Sequence, residues 1–374
     1  MWGNAIKIAQ LRGFDIKIDA SWVLIAALMV WSLSTTYFPS QLPDLGRPTI
    51  LTISVISMLG LFGSLLLHEL AHAVVAARFG VKVAGITLFL FGGVAELQSE
   101  PQSGNTEFWI AIAGPLASAA IALAFWFSEL AASFAGLSVP VQAILSYLAV
   151  INLVLALFNL LPAFPMDGGR VLRAWLWARS GDLMASTRRA VAISSFFAYG
   201  LMALGLYAVF SGAPTSGFWP VLIGLFLLAT SRATLTQLET KTALEGRSVA
   251  SLMTRNPWTA EPDMSLSELV NRVFLKHSIS FAPVVESGTL LGYVDTQILH
   301  KIDREHWTTT IVEDVVEPTS SENTVSFDVM AVDLIELMQK TGRRKFLVVE
   351  AHDLVGVITL ANMMALLNVS RDIN

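Results

Sequence analysis

The chain has 374 residues, 54% hydrophobic and only 14% charged, with a formal net charge of −5. Soluble domains carry about 25% charge, so a chain of this kind is a membrane protein at least in part. The acidic balance and the lack of a basic tract exclude nucleic acid as a partner, and the absence of cysteine excludes disulfides, thiolate metal sites and a thiol nucleophile.

Residues 1–19 mix Lys7, Arg12 and Lys17 with Asp15 and Asp19 and do not read as a cleavable signal. Within them, residues 5–18 alternate apolar and polar side chains around Arg12 and Gly13, which predicts a short hairpin at the membrane surface. Residues 21–38 form the first apolar span, opened by Trp22 as an interface anchor. A turn-rich loop, 39–48, leads to the second span, 49–79. From Leu51 to Ala77 its only ionisable groups are His68, Glu69 and His72. Such groups are expensive in lipid unless they have a function. Positions i and i+4 share a helical face, so His68 and His72 can grip one metal ion. Glu69 lies about 100° round the same turn, within reach of a proton on water held there.

Residues 86–97, ITLFLFGGVAEL, are too short to cross as a helix, and Gly92 and Gly93 would break one. They predict a re-entrant or interfacial β-hairpin, which survives at membrane depth only if protein covers it or it lines a wet cavity. Its edge could bind an extended peptide by strand addition. Four more spans follow, at 107–135, 139–161, 190–210 and 218–235, with Gly114 and Pro115 as a kink or close-packing site in the third. Lys and Arg cluster before span one, after span two, between spans four and five and at the end of span six; the other side holds only Arg47. The positive-inside rule then puts both termini, the metal pair and the loop around Asp167 on the cytoplasmic side.

A short charged linker, 238–248, precedes two similar units, 249–303 and 311–370. Each carries an opening short helix, an amphipathic helix (266–276; 329–340), two strands (281–285 and 291–294; 346–349 and 355–358) and a closing helix. A repeat of some 60 residues in this order predicts two α/β units packed together.

A catalytic zinc site takes three protein ligands and leaves one position open. His277, His300, His306 and His352 all lie in the C-terminal repeats, far along the chain. Among the acids of the membrane part, Asp167 stands out, next to Gly168 and Gly169 at the end of span four. Those glycines would let the backbone approach the metal. A turn Asp that merely caps the following helix is the plain alternative.

Four motifs together, H-E-L-A-H in an apolar span, FGGVAEL after it, EFWIAIAGPLAS opening span three and NLLPAFPMDGGR closing span four, resemble the site-2 protease family of intramembrane zinc proteases. The likeness covers residues 1–237 in order and spacing. The appended pair resembles CBS domains, as in a branch of that family. The resemblance implies a helical membrane protein of six spans with a membrane-embedded β element, followed by a cytoplasmic α/β CBS pair. It implies one zinc per chain on His68, His72 and Asp167, with Glu69 as general base. Asn159 would hold the substrate carbonyl or oxyanion, with Asn152 the weaker candidate. The substrate would be a transmembrane protein helix, unwound locally, cut in the bilayer of a prokaryotic cell membrane. CBS pairs also often bind adenine nucleotides and commonly associate face to face, which offers regulation and a homodimer. Here the usual Gly-x-x-Ser/Thr-x-x-Asp signature is altered: Asp295 fills the Ser/Thr slot and Ile298 the Asp slot of the first repeat, and Asn362 replaces the Asp of the second. The competing expectation is a CBS-gated ion transporter or channel with His and Asp lining an ion path, a reading that has no use for Glu69.

Overall fold

The computed structural model describes residues 5–11, 13–89, 92–97, 101–351 and 353–373 and falls into two compact units, Met1–Thr236 and Gln237–Asn374. Arg12, Phe91 and His352, named above, lie outside the described residues.

Hydrocarbon offers no partner to a backbone amide, so an apolar span folds into a helix that bonds internally. Among the described residues, six helical segments are long and apolar enough to cross a membrane. The first joins α1 (Ser21–Ser32), a π-helical turn (Leu33–Tyr37) and α2 (Phe38–Gln41). The others are α3 (Arg47–Arg78), α4 (Gly104–Phe134), α5 (Val139–Asn159), α7 (Leu183–Phe210) and α8 (Pro214–Leu244). Between α5 and α7 lies a shorter helix, α6 (Asp167–Ser180). Pro48 and Pro140 open α3 and α5, where a missing N–H is harmless. Trp31, Phe134, Phe196 and Phe210 are 65–86% exposed, an outward apolar surface that suits lipid rather than water.

Two helices outrun their apolar cores. α7 starts at Leu183, where the Asp182 carboxylate accepts the Ala185 N–H at 2.9 Å. α8 continues to Leu244, so residues 238–244 of the expected linker are helical. Apolarity marks where a helix meets lipid; backbone hydrogen bonding continues past that boundary.

Both expected hairpins of this unit form. β1 (Ile6–Leu11) pairs antiparallel with β2 (Phe14–Ile18), and β3 (Val83–Phe89) with β4 (Gly92–Leu97). β2 also pairs in parallel with β3, giving the order β1-β2-β3-β4. A parallel pair needs a long crossover. Here α1 to α3 supply it, and β1 and β4 are left as the two edge strands.

The second unit holds α9 (Val249–Leu252), β5 (Thr254–Arg255), α10 (Leu266–Glu268) continued by a π-helical segment (Leu269–Leu275), β6 (Phe281–Glu286), β7 (Thr289–Asp295) and α11 (Thr296–Leu299). Its second half holds β8 (Glu317–Pro318), β9 (Thr324–Ser326), α12 (Ala331–Thr341), β10 (Lys345–Glu350), β11 (Asp353–Thr359) and α13 (Leu360–Ile373). The predicted strands each lie inside an observed one. The halves also trade short strands: β5 joins β11, and β8 joins β7. Phe281, Tyr293, Leu347 and Val357 pack as a buried cluster joining the two halves. Leu347 is fully buried there. Leu347→Ala should therefore cost about 2–5 kcal/mol and lower the melting temperature of this unit in differential scanning calorimetry. An unchanged melting curve would show that the halves do not depend on this seam.

Candidate metal centre

One turn of α3 separates His68 from His72, and both rings are buried, edge to face, with centroids 4.9 Å apart. Their Nε2 atoms are 3.2 Å apart. Asp167, the first residue of α6, brings its Oδ2 to 3.2 Å from each of them. Residues 95 and 99 positions apart thus meet at one point.

The other ring nitrogens decide what that point can hold. His72 Nδ1 donates to the Ile110 carbonyl at 2.6 Å, and His68 Nδ1 meets the Ser118 hydroxyl at 2.9 Å. With its proton on Nδ1, His72 presents a lone pair from Nε2. With the same tautomer at His68, its Nδ1 proton accepted by Ser118 Oγ, two ring nitrogens and a carboxylate oxygen converge as acceptors, and a single proton could serve only one edge of the triangle. A cation serves all three. Around a tetrahedral zinc with bonds of about 2.0–2.1 Å, neighbouring ligand atoms lie roughly 3.3 Å apart, close to all three observed edges. The residues present fit the metal.

α4 supports both rings. Ile110 and Ser118 lie on it, and between them Gly114 faces the two rings so closely that a Cβ would overlap His68 and His72 Nε2. Gly114 is therefore a close-packing site, one of the two roles expected for it. The glycines after Asp167 act differently from expectation. A Cβ on Gly168 would strike the Leu160 and Leu161 carbonyls, and one on Gly169 the Ala163 backbone. They let the start of α6 fold back on the preceding loop and do not bring backbone to the metal.

Glu69 is half-buried on the next position of α3. Gly93 of β4 lies against it, where an added Cβ would come within 2.6 Å of Glu69 Cγ. The edge strand therefore runs beside the one carboxylate that adjoins the metal pair on α3. Asn159 ends α5, half-buried, and among the described residues its amide makes no side-chain hydrogen bond. Asn152 is fully buried, and its amide donates to Ser64 Oγ and the Leu148 carbonyl. Of the described histidines, His277, His300 and His306 belong to the second unit. The supports on α4 escaped the sequence reading: a carbonyl carries no side-chain signature, and Ser118 is one of many small residues in an apolar span. Its place one turn after Gly114 is the only signal it leaves.

The sequence matches peptidase family M50 over residues 56–137 and 133–204 and the CBS domain over 249–302 and 312–368. It is 36% identical over 376 aligned residues, 98% of this chain and 94% of the relative, to "Putative zinc metalloprotease Rip3" of Mycobacterium tuberculosis. It is 33% identical to "Zinc metalloprotease MJ0392" of Methanocaldococcus jannaschii, over 83% of this chain and 84% of that one. Among solved structures, a site-2 protease from Methanocaldococcus jannaschii is similar at 27% identity, covering 62% of this chain and 95% of that one with a TM-score of 0.40. The family match and the two metalloprotease relatives replace the ion-transport alternative with an enzyme. This chain belongs to peptidase family M50: it is a multi-pass membrane zinc metalloprotease with a C-terminal pair of CBS domains.

Proposed function

We propose that the protein hydrolyses peptide bonds within or near the transmembrane segments of other membrane proteins, on a zinc held by His68, His72 and Asp167. The observation that carries this reading is the equilateral meeting of two imidazole nitrogens and one carboxylate oxygen beside Glu69. Bound zinc would supply a Lewis acid that polarises a carbonyl and lowers the pKa of water to about 7. Glu69 accepts the proton of the attacking water and returns it to the leaving amine. The Asn159 amide, with no internal partner among the described residues, donates to the oxygen that gains charge.

A carbonyl inside an intact helix is already hydrogen-bonded and shielded, so the substrate must enter unwound. The edge of β4, lying against Glu69 through Gly93, suits an extended peptide added as a further strand. In this reading the β3–β4 hairpin sits at membrane depth, and the distribution of Lys and Arg puts both termini in the cytoplasm of a prokaryotic cell. The CBS pair regulates access, and it offers a surface for a homodimer.

Nucleotide sensing is the weaker reading of that pair. Asp295 spends one carboxylate oxygen on the Gln297 and Ile298 N–H groups and the other on Lys345 at 3.1 Å. Its charge would repel a phosphate. Asn362 accepts from the Thr359 hydroxyl at 2.6 Å and donates to Thr254 at 3.1 Å, so the ribose position of the second repeat is satisfied from within. We infer that the pair acts on protein contacts without a bound nucleotide.

In purified protein, elemental analysis should find close to one zinc per chain, falling sharply in His68→Ala, His72→Ala and Asp167→Ala. Full zinc in any of these variants removes that residue from the ligand set. Glu69→Gln should keep its zinc and lose cleavage of a model transmembrane substrate by about 10²–10⁴-fold; undiminished cleavage would end the general-base assignment. Millimolar AMP or ATP should leave the melting temperature unchanged, and a clear rise with either would reverse the reading of the CBS pair.

A further inference from the structure

α4 carries more than the two histidine supports. Gly104, Glu107, Ala111, Gly114 and Ser118 recur at spacings of three and four, forming one stripe of the helix, and all are buried. Its far end meets α6. A Cβ on Gly104 would strike the backbone of Ala174 and Ala178, so the two helices touch main chain to main chain. Beside that contact lies an ion pair. Arg173 donates to Glu107 Oε1 through Nε at 3.0 Å and also through Nη2. Glu107 is 1% exposed, and its second oxygen, Oε2, is buried with no hydrogen-bond partner among the described residues. The Arg173 guanidinium also lies over the Phe164 ring, 5.5 Å from its centroid, and the Phe164 N–H is anchored by Ser194 Oγ of α7 at 3.1 Å.

An ion pair is a poor choice if stability is all that is required here. Burying two charges costs several kcal/mol per ion, and apolar residues of similar volume often do as well or better. What a forked, charged contact provides is register. Arg173 lies six residues beyond Asp167 on α6, about 9 Å along the axis at 1.5 Å per residue, and a slip of one turn would move the carboxylate by about 5.4 Å. Metal–ligand distances tolerate only about ±0.2 Å.

We propose that Glu107 and Arg173 are a positioning pair that registers α6 against α4, so that the Asp167 carboxylate meets the two imidazoles that α4 already holds. α4 is then the common reference for all three ligands: Ser118 orients His68, the Ile110 carbonyl orients His72, and Glu107 orients Asp167 through Arg173. The pair touches neither metal nor substrate.

Because the pair acts through the zinc ligands proposed above, zinc binding by the unaltered protein is the first control; if it binds none, that reading of the centre fails, and the positioning role fails with it. The measurement is the zinc dissociation constant of full-length protein in detergent, by chelator competition, alongside the melting temperature of the metal-free form. Glu107→Gln and Arg173→Lys should weaken zinc binding about 10–100-fold, the range for groups that orient metal ligands, while the metal-free melting temperature stays near that of the unaltered protein. In an Asp167→Ala background, assayed at raised zinc, the same substitutions should cause no further loss, because the residue they position is gone. Unaltered zinc affinity in a folded variant overturns the proposal. So does an equal loss with and without Asp167, which marks general loosening. If Glu107→Gln does not fold, Arg173→Lys, which keeps the charge, decides; if neither folds, the pair is a general stability element and the positioning role is overturned.

Discussion

Three acceptors held 3.2 Å apart, shielded from water by their burial, repel one another unless a cation lies among them. Burial magnifies that repulsion, because little solvent is present to screen it. The rest of the first unit can be understood as the means of holding these atoms together against it. α3 contributes the two imidazoles one turn apart, α6 contributes the carboxylate at its first residue, and α4 lies against both. The unusual features of α4, a glycine where the rings press, a serine one turn on and a buried glutamate near its start, each have a partner on one of the ligand-bearing helices.

The same constraint gives the enzyme its character. Peptide hydrolysis needs water, a general base and an unfolded carbonyl, and the bilayer interior supplies none of them. The first unit gathers a metal site, a carboxylate and an edge strand at one end of its helices, where β4 passes Glu69. A soluble protease meets chains that are already unfolded. In the function proposed above, a lipid-borne helix would need somewhere else to form its hydrogen bonds, and an open strand edge is a backbone template that is indifferent to side-chain sequence.

The second unit follows other rules. Its core is an ordinary water-soluble one, and its two halves are joined by exchanged strands and a shared apolar seam. Where the CBS signature is altered, the side chains form a helix cap, an ion pair and a threonine–asparagine–threonine chain. Glu317, Arg343 and Tyr293 add a second polar knot. Burial would raise the Glu317 carboxyl, but hydrogen bonds from Tyr293 and Arg343 outweigh it and keep the group below its usual value.

Much of this was legible in the chain alone. Lipid permits few backbone solutions, so apolar stretches of sufficient length became the six spans, and the break at Gly92 and Gly93 became a hairpin. Helical periodicity put His68 and His72 on one face, and its place at the end of span four, before Gly168 and Gly169, singled out Asp167. What the linear order could not carry were contacts between helices whose partners have no shared local pattern. The parallel pairing of β2 with β3, the strand exchange between the repeats, the inward-packed glycines after Asp167 and the buried Glu107–Arg173 pair all arise from where remote segments come to rest. In the sequence Arg173 is one of several cations between two spans, and Glu107 an ordinary acid at a helix start. Only the packing of α6 against α4 makes them a pair, because a buried charge acquires its meaning from its neighbours rather than from its place in the chain.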